Sequence, residues 1–302
     1  MSKFSAAVVQ ASPVIFDKMA TIEKISSLVK QASKTGARLV LFPEVFIPGY
    51  PRGLSFGTVV GSRTNEGREL FLKYWENSIE IPGPETVQLA KLAKETKTFL
   101  VIGVTEKDKV SDTLYCSLIY FSPEGELIGK HRKIKPTAAE RIIWGEGDGS
   151  DLKVYQTSIG KMGGLVCWEN YMPLARMALY EQGIEIYLAP TADCRQSWQA
   201  TLTHIACEAR CFVLGCNQYV TKDQYPREMQ KELENQPSLM CSGGSVIISP
   251  LGQVLAGPVF DKEEVLYAEI DHDEIIKSKM DFDVIGHYAR PDIFDFNVKN
   301  KK

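Results

Sequence analysis

Short apolar runs alternate with amphipathic stretches along this chain of 302 residues. Residues 4–9 and 38–42 are apolar runs with the length of a strand that is buried on both faces. Between them, apolar residues such as Ile22 and Val29 recur at helical spacing, and Asp17 is placed to cap that helix. The chain therefore opens with a strand, a helix and a strand, an order that favours parallel pairing.

The same two patterns predict the remaining elements. Apolar runs predict strands at 99–104, 114–121, 126–129, 152–155, 162–166, 184–188, 212–215, 245–249, 253–256 and 265–270. Helical spacing predicts helices at 68–75, from Pro84, from Pro173, at 198–211 and after the capping residue Asp271. Segments with neither period are predicted to be loops, namely 47–61, 131–151 and 219–237, the last of them a surface excursion. No linker or repeat interrupts the pattern, so residues 1–302 are predicted to form a single α/β domain with an extended tail from about residue 282.

Composition and charge narrow the class of protein. The chain is 44% hydrophobic and 24% charged, as in an average globular protein. Its net charge of −3 gives no electrostatic support for binding nucleic acid or an anionic membrane surface. No apolar run approaches about 18 residues, so a membrane span is not expected. The seven cysteines have no framework spacing and no secretion signal follows Met1, so we expect a cytoplasmic protein.

Cys167 is the first candidate for chemistry. It directly follows the apolar run 163–166, and a predicted helix begins shortly after it at Pro173. Unpaired backbone N–H groups and the positive end of a helix dipole both favour a thiolate, the reactive form of cysteine. The sequence therefore indicates a nucleophile at position 167, and the alternative is an ordinary buried thiol.

Glu44 and Lys133, like Cys167, lie at or just beyond the end of a predicted strand, where open α/β sheets place their chemistry. The apolar neighbours of Glu44 disfavour its charged form, so a raised pKa is expected. The alternative for Glu44 is a capping or ion-paired carboxylate, and the alternative for Lys133 is a solvated basic loop. None of the four histidines has a neighbouring acid that marks a cysteine–histidine pair. A desolvated glutamate can replace histidine as the base, with a lysine stabilising the developing anion.

A cysteine cluster and a glycine-rich segment could suggest a metal site and a phosphate site, but a structural role is favoured for both. Cys207, Cys211 and Cys216 are close in sequence, but no second cysteine or histidine pair completes a zinc motif, so we assign them to the core. The glycine-rich segment 145–149 contains two acidic residues that would repel phosphate, and no helical pattern follows it. We interpret that segment as a loop.

A series of short motifs runs along nearly the whole chain, over about residues 4–297. In chain order they are FPE at 42–44, GYPRG at 49–53, HRKIKPT at 131–137, ER at 140–141, WGEGDG at 144–149, CWEN at 167–170, TAD at 191–193, GGS at 243–245 and GHYARP at 286–291. With these motifs the chain resembles the nitrilases of the carbon–nitrogen hydrolase superfamily. CWEN and GHYARP are typical of true nitrilases rather than of the amidase or carbamoylase branches. Residues 61–64 and 191–193 are most similar to the plant-like group, which includes cyanoalanine-converting members.

This resemblance implies an α-β-β-α sandwich with Glu44, Lys133 and Cys167 as the catalytic residues. It implies that Glu140 is an additional active-site glutamate, which orders the lysine or the substrate. The implied reaction hydrolyses an organic nitrile with water to a carboxylic acid and ammonia, through a covalent thioimidate and thioester, with some amide as a by-product. The backbone N–H of Trp168 would join Lys133 in stabilising the developing charge. No metal or organic cofactor is implied.

The resemblance also implies a homo-oligomer, with dimers formed through helices at about 171–183 and 197–210 and often with higher spiral assemblies. Five residues are candidates for the entrance to the site, with ordinary core packing as the alternative for each: Tyr50, Phe56, Trp168, Thr191 and Trp198. Aromatic, arylaceto-, aliphatic and cyanoalanine-type nitriles all stay open as substrates. The competing functions are an amidase that uses the same three catalytic residues and a non-catalytic scaffold.

Overall fold

The structure of the chain, a computed structural model, describes residues 3–299. Within this range, the strands form two main sheets and a small ribbon, and helices cover the outer face of each main sheet. The strands are β1 Phe4–Gln10, β2 Ala37–Leu41, β3 Thr58–Val59, β4 Ser62–Arg63, β5 Ile79–Glu80, β6 Phe99–Lys107, β7 Leu114–Phe121, β8 Leu127–Arg132, β9 Tyr155–Thr157, β10 Gly160–Gly164, β11 Ile186–Thr191, β12 Phe212–Asn217, β13 Tyr219–Thr221, β14 Leu239–Ile248, β15 Val254–Phe260 and β16 Glu264–Ile270. The helices are α1 Lys18–Lys34, α2 Asn65–Glu76, α3 Pro84–Thr96, α4 Pro173–Tyr180, α5 Gln196–Ala209 and α6 His272–Ser278.

The two main sheets have similar layouts. In the first the order is β16-β1-β2-β6-β7-β8, with β5 paired to β6. In the second the order is β13-β14-β12-β11-β10-β9, with β15 paired to β14. The centre of each sheet is parallel, with β1, β2 and β6 in the first and β10, β11 and β12 in the second. The parallel pairing of β1 with β2 across α1 confirms the predicted strand–helix–strand opening.

Successive residues of the central strands face different cores. Leu41 of β2 packs between the two sheets, whereas its neighbour Val40 packs under α1 and α3. Leu188 of β11 contacts the same inner core, and Ala189 faces α4 and α5. Strands that are buried on both faces must be apolar throughout, which is why they appear in the sequence as apolar runs. The layers are therefore helix, sheet, sheet and helix, and the predicted α-β-β-α sandwich is confirmed.

The two predicted helix caps are present. The Asp17 carboxylate accepts the N–H of Ala20 at 2.9 Å, and the Asp271 carboxylate accepts the N–H of Asp273 at 3.0 Å. Both helices therefore begin where the sequence places them. Among residues 3–299, no helix has the length and apolar content needed to cross a membrane.

Most other elements occur where they are predicted, with ends that differ by a few residues, but the region before Cys167 differs more. The predicted strand at 152–155 is wrong, because β9 begins only at Tyr155. The predicted loop at 131–151 contains the end of β8 and a 3-10 turn, Ala138–Ile142. A turn of this length is too short to produce a period in the sequence.

The segment 219–237 lies mostly at the surface, as its polar composition predicts, but it is not a plain loop. It contains β13 and two 3-10 turns, and its apolar residues Tyr225, Met229 and Leu233 are buried. The Tyr225 hydroxyl donates a hydrogen bond to the backbone oxygen of Tyr50 at 3.4 Å. These three residues recur at every fourth position, which is helical spacing, but the polar residues between them outnumber them and favour a loop. The three apolar side chains hold the segment against the loop that contains Tyr50.

The sheet directions bring three strand ends together. Strands β2, β6 and β8 run the same way, because β7 is antiparallel to both of its neighbours. The carboxyl ends of β2 and β8 therefore lie at the same edge of the first sheet. The carboxyl end of β10 faces that edge from the second sheet, and the residues that follow the three strands meet between the sheets.

Candidate active site

Glu44, Lys133 and Cys167 follow the ends of β2, β8 and β10, as predicted, and the fold brings them into one buried cluster. Glu44 and Lys133 are fully buried, and 5% of Cys167 is exposed. Lys133 Nζ donates a hydrogen bond to Oε1 of Glu44 at 2.8 Å. The solvated loop that was the alternative for Lys133 is therefore excluded, whereas the ion-paired carboxylate that was the alternative for Glu44 is present.

Glu140 joins the same cluster from the 3-10 turn Ala138–Ile142. Its Oε2 accepts hydrogen bonds from Lys133 Nζ and from the N–H of Thr137, both at 2.7 Å. Its Oε1 accepts the hydroxyl of Tyr50, also at 2.7 Å. Burial alone would lower the pKa of Lys133, but the charge of Glu44, helped by that of Glu140, outweighs it, so this pKa lies well above its ordinary value. Lys133 is therefore a buried ammonium held by two glutamates.

The Glu44 carboxyl has the raised pKa that its apolar neighbours predict. Burial raises this pKa, and the attraction of the Lys133 ammonium offsets the effect only in part. Oε1 is occupied by Lys133, whereas Oε2 is buried and makes no hydrogen bond of normal geometry to residues 3–299. The Cys167 thiol is close enough to interact with this carboxyl group. Glu44 therefore has an oxygen that can receive a proton from the thiol.

Cys167 is held as a neutral thiol, which contradicts the thiolate expected from the sequence. Burial and the charge of Glu44 raise the pKa of the thiol, although Lys133 and the Thr191 hydroxyl act in the opposite direction. The Thr191 Oγ1 donates a hydrogen bond to Sγ at 3.1 Å. The cysteine opens a 3-10 turn, Cys167–Tyr171, and α4 begins only at Pro173, so the dipole of that helix does not reach the sulfur directly.

The backbone of Cys167 has a positive φ of 54°, in the left-handed region that non-glycine residues rarely adopt. The side-chain amide of Asn170 fixes this turn by donating to the backbone oxygens of Leu165 at 3.0 Å and Cys167 at 2.7 Å. The Tyr187 hydroxyl in turn donates to Asn170 Oδ1 at 2.7 Å. These buried bonds aim the sulfur at the cavity, and strained backbone of this kind persists only where its surroundings hold it.

The cluster opens into a cavity of about 300 Å³. Its lining residues are Tyr50, Arg52, Thr137, Glu140, Cys167, Trp168, Ala192, Asp193, Cys194 and Arg195. Tyr50 and Trp168, which were candidates for the entrance, therefore lie on its wall. Thr191 lies behind the nucleophile candidate and contacts its sulfur.

The other two entrance candidates are core residues, and their assignment to the entrance is corrected. Trp198 is 1% exposed and packs with Leu202 in the outer core under α5, because both lie on the apolar face of that helix. Its ring contacts that of Tyr171, with 5.9 Å between centroids. Phe56 is also buried, and its ring packs edge-on against Tyr74.

One wall of the cavity carries an ion pair. Burial would raise the pKa of Asp193, but hydrogen bonds from Arg195 and from the Trp168 indole lower it below its ordinary value. The Trp168 Nε1 donates to Asp193 Oδ2 at 2.9 Å, and the Arg195 guanidinium lies 4.7 Å from the indole ring centre. The indole is thus fixed at the mouth of the cavity. Nothing in the spacing of the sequence predicts this pair, although Asp193 lies in the TAD motif.

Cys194 gives the cavity a second thiol. Its hydrogen bond with the thiol of Cys241 and the nearby Arg52 guanidinium lower the pKa of Cys194 to about 5. The Arg52 guanidinium also contacts the backbone oxygen of Ala192. Sequence reasoning did not single out Cys194, because the groups that lower its pKa, Cys241 and Arg52, lie far from it along the chain.

Two buried residues missed by the sequence reasoning connect the loop after β8 with the turn after β10. The Glu169 carboxylate accepts the N–H of Ile134 at 2.6 Å and the N–H of Val166 at 2.7 Å. His131 Nε2 lies 3.0 Å from Oε2 of Glu169. The signal that could have found them is the acid of the CWEN motif and the histidine of HRKIKPT, which the structure pairs across the two sheets.

The cysteines assigned to the core are mostly there. Cys211 and Cys216 are buried and Cys207 is half-buried, and none forms a disulfide. In the part of the chain that the structure describes, no three His, Cys, Asp or Glu side chains converge on a position that could hold a metal ion.

The carbon–nitrogen hydrolase family model matches residues 5–280. An aliphatic nitrilase of Sinorhizobium fredii (strain HH103) is 52% identical over 299 residues, which cover 99% of this chain and 96% of that protein. A bifunctional nitrilase/nitrile hydratase of Nicotiana tabacum is 51% identical over 300 residues, with 98% and 86% covered. Nitrilase 3 of Arabidopsis thaliana is 49% identical over 298 residues, with 96% and 85% covered.

Solved structures show the same fold. Nit3 of Saccharomyces cerevisiae, a member of branch 10 of the nitrilase superfamily, superposes with a TM-score of 0.76 at 25% identity and covers 95% of this chain and 96% of its own. A carbon–nitrogen hydrolase of Helicobacter pylori G27 has the same TM-score at 22% identity, with 96% and 97% covered. The resemblance that the motifs indicate is confirmed by these matches, and the chain belongs to the carbon–nitrogen hydrolase family.

Proposed function

We propose that this protein is a nitrilase, which hydrolyses an organic nitrile to a carboxylic acid and ammonia. One observation carries the proposal: the Cys167 thiol borders a cavity beside a buried Lys133 ammonium and a Glu44 carboxyl with an uncommitted oxygen. Such a site contains a nucleophile, a proton acceptor and a cation within one water-poor cluster. The names of the relatives, an aliphatic nitrilase and bifunctional nitrilase/nitrile hydratases, support nitriles as the substrates.

In the first step, Cys167 Sγ attacks the nitrile carbon while Glu44 takes the thiol proton and passes it to the nitrile nitrogen. One C–S bond forms, one π bond of the nitrile breaks, and the product is a covalent thioimidate. The raised pKa of Glu44 makes its carboxylate a stronger proton acceptor, whereas the raised pKa of Cys167 keeps the proton on sulfur until the attack begins. Proton transfer and attack are therefore coupled.

In the second step, water adds to the thioimidate carbon. Glu44 accepts the water proton through Oε2, whereas both oxygens of Glu140 are already engaged by donors. Lys133 Nζ and the backbone N–H of Trp168 stabilise the charge that develops, and one such donor is typically worth ~3 kcal/mol in the transition state. Glu44 returns this proton to the nitrogen, ammonia leaves, and a thioester remains. A second water then breaks the C–S bond, which releases the acid and restores the Cys167 thiol.

An amide forms when the tetrahedral intermediate expels the thiol instead of ammonia. The former nitrile carbon then keeps its nitrogen, and the Cys167 sulfur regains a proton from Glu44. That relatives are named bifunctional nitrilase/nitrile hydratases supports a share of amide among the products. The ratio depends on which leaving group the buried cluster protonates.

The test is ammonia and amide release from a panel of nitriles, each paired with its own amide. Wild-type protein is expected to act on at least one nitrile faster than on the matching amide, and Cys167→Ala is expected to lose all turnover. Retained turnover in Cys167→Ala, or faster hydrolysis of the amides, would reject the proposal. Circular dichroism of the variant controls for folding.

We also propose a homo-oligomer built from dimers through α4 and α5, with residues 1–302 acting as one domain. At the start of α4, Leu174 is 70% exposed, and the neighbouring Tyr171 and Met172 are also exposed. Exposed apolar side chains that lie together on one surface are typical of an interface, here one with a second copy of the chain. Sedimentation of wild-type protein and of Leu174→Asp measures the assembly, and unchanged sedimentation of the variant would argue against this face. The expected cytoplasmic location stays a prediction, to be tested by cell fractionation.

A further inference from the structure

The Glu169 carboxylate joins the two loops that carry Lys133 and Cys167. It is only 1% exposed, and each of its oxygens accepts a different backbone N–H group. Oε1 accepts the N–H of Ile134 at 2.6 Å, and Oε2 accepts the N–H of Val166 at 2.7 Å. In the chain, Ile134 directly follows Lys133 and Val166 directly precedes Cys167. One side chain therefore holds the backbone next to both groups.

A protonated histidine supports this carboxylate. Burial alone would lower the pKa of His131, but the charge of Glu169 and the hydrogen bond with Asp151 raise it to about 10. The imidazolium thus donates through Nε2 to Glu169 at 3.0 Å and through Nδ1 to Asp151 at 3.0 Å. The other oxygen of Asp151 accepts the N–H of Arg132 at 2.8 Å. The strand end before Lys133 is therefore fixed on both sides.

No second link duplicates this one. Among residues 3–299, every hydrogen bond that joins residues 131–137 to residues 164–172 is made by the Glu169 carboxylate, to His131 and to the N–H of Ile134. The two segments belong to different sheets, since one follows β8 and the other follows β10. Their relative position across the inner core therefore depends on this carboxylate together with apolar packing.

We infer that Glu169 is a positioning residue, which sets the distance and angle between the Lys133 ammonium and the Cys167 sulfur. The inference rests on the proposed function, since it assigns both groups to the reaction. Without the carboxylate, two buried N–H groups lose their acceptor and the imidazolium keeps only Asp151 as a counter-charge, so the two loops move apart. A shift of about 1 Å between reacting groups can cost ~10²-fold in rate.

The effect should fall on the chemical step rather than on binding. Glu169 does not line the cavity, and the walls that would contact a nitrile come from other segments, including Tyr50 and Arg195. A lost hydrogen bond in a merely structural position lowers the thermal stability and leaves the rate per folded molecule unchanged. A positioning role instead lowers kcat and the reactivity of the sulfur while KM stays nearly constant.

The test compares Glu169→Gln with a matched control, Glu185→Gln. Glu185 also accepts a backbone N–H, that of Lys161 at 2.8 Å, and its carboxylate also lies near a histidine, 3.8 Å from His272. It lies beside the start of β10, at the opposite end of that strand from the cavity. Both variants lose one charge at a carboxylate that holds backbone, so general destabilisation is expected in both.

For Glu169→Gln we expect kcat on a nitrile to fall ~10²-fold with KM within about threefold, and iodoacetamide alkylation of Cys167 to slow by a similar factor. Glu185→Gln is expected to keep the wild-type kcat and alkylation rate. If Glu169→Gln does not fold, Asp151→Asn loosens the same network from outside and should lower kcat ~10-fold at constant KM.

Three outcomes would overturn the inference: wild-type kcat and alkylation in Glu169→Gln, a loss that lies only in KM, or an equal loss in Glu185→Gln. The alkylation measurement needs no nitrile. If wild-type protein hydrolyses no nitrile, the proposed function fails. The positioning role is rejected separately if Glu169→Gln keeps the wild-type alkylation rate of Cys167.

Discussion

The ammonium of Lys133 donates a hydrogen bond to Oε2 of Glu140 at 2.7 Å, and it donates a second one to Glu44 at 2.8 Å. The two glutamates differ in what remains for them to do. Both oxygens of Glu140 are occupied by donors, whereas Oε2 of Glu44 is uncommitted. The same residue type thus fills two roles: Glu140 holds the lysine, and Glu44 can still accept a proton.

We expect Glu140→Gln to lower kcat on a nitrile by ~10²-fold with little change in KM. The amide has the same shape but carries no charge, so the Lys133 ammonium shifts towards Glu44 and away from the position of the developing anion. Steady-state ammonia release at several nitrile concentrations measures both constants. A raised KM with an unchanged kcat would instead place Glu140 in substrate binding.

We expect iodoacetamide to alkylate Cys194 faster than Cys167 in the free protein near neutral pH. The pKa of Cys194 is lowered to about 5, so this thiol is already ionised, whereas the pKa of Cys167 is raised. The alkylation rate of Cys167 should therefore still rise as the pH is raised above neutral, while that of Cys194 is flat. Mass spectrometry of the two peptides over time gives both rates, and parallel pH profiles would contradict the expectation.

The His131 network should make the stability of the protein depend on pH in one direction. The pKa of His131 is raised from an ordinary value of 6.5 to about 10 in the folded state. The stabilisation by the imidazolium is therefore fully present below pH 6.5 and is lost as the pH rises towards 10. The difference in free energy of unfolding between wild type and His131→Gln should shrink across this window. A difference that is constant from pH 6 to 10 would mean that the histidine is neutral when folded.

Substitutions of Trp198 and Trp168 should affect different properties, the first the stability of the fold and the second substrate binding. Trp198→Phe is expected to lower the free energy of unfolding by about 1–3 kcal/mol, because the smaller ring leaves space in the outer core, and to leave KM unchanged. Trp168→Phe removes the hydrogen bond to Asp193 at the cavity wall and should change KM instead. Urea unfolding and steady-state kinetics of both variants measure the two effects, and a KM change in Trp198→Phe would return that residue to the site.

The positions of Glu44, Lys133 and Cys167 could be predicted from the sequence, because each is a polar residue just after an apolar run. Because open α/β sheets place their chemistry at strand ends, the three residues can be assigned to one site before any contact between them is known. The ionisation state of Cys167 could not be predicted in this way. It depends on burial and on the charge of Glu44, which belongs to another sheet.

Glu169 and His131 were missed for a related reason. The histidines were compared with acids close to them in sequence, and the two acids that hold His131 are Asp151 and Glu169, which lie far along the chain. Glu140 could be assigned only through the family resemblance, because a 3-10 turn gives no period. For Trp198 the signal was present, since it shares a helical face with Leu202 and Ile205, and that spacing already favours the core.

The site is divided between the layers of the sandwich. Glu44 and Lys133 follow strands of one sheet, and Cys167 follows a strand of the other, so their geometry is a property of the packing between the sheets. A compact state that keeps its helices and strands but loses fixed side-chain packing would keep all three residues and lose the site. Catalytic activity should therefore be lost at a lower denaturant concentration than the far-ultraviolet circular dichroism signal. The loss of activity would then report the loosening of the inner core, and the later loss of the signal would report the unfolding of secondary structure.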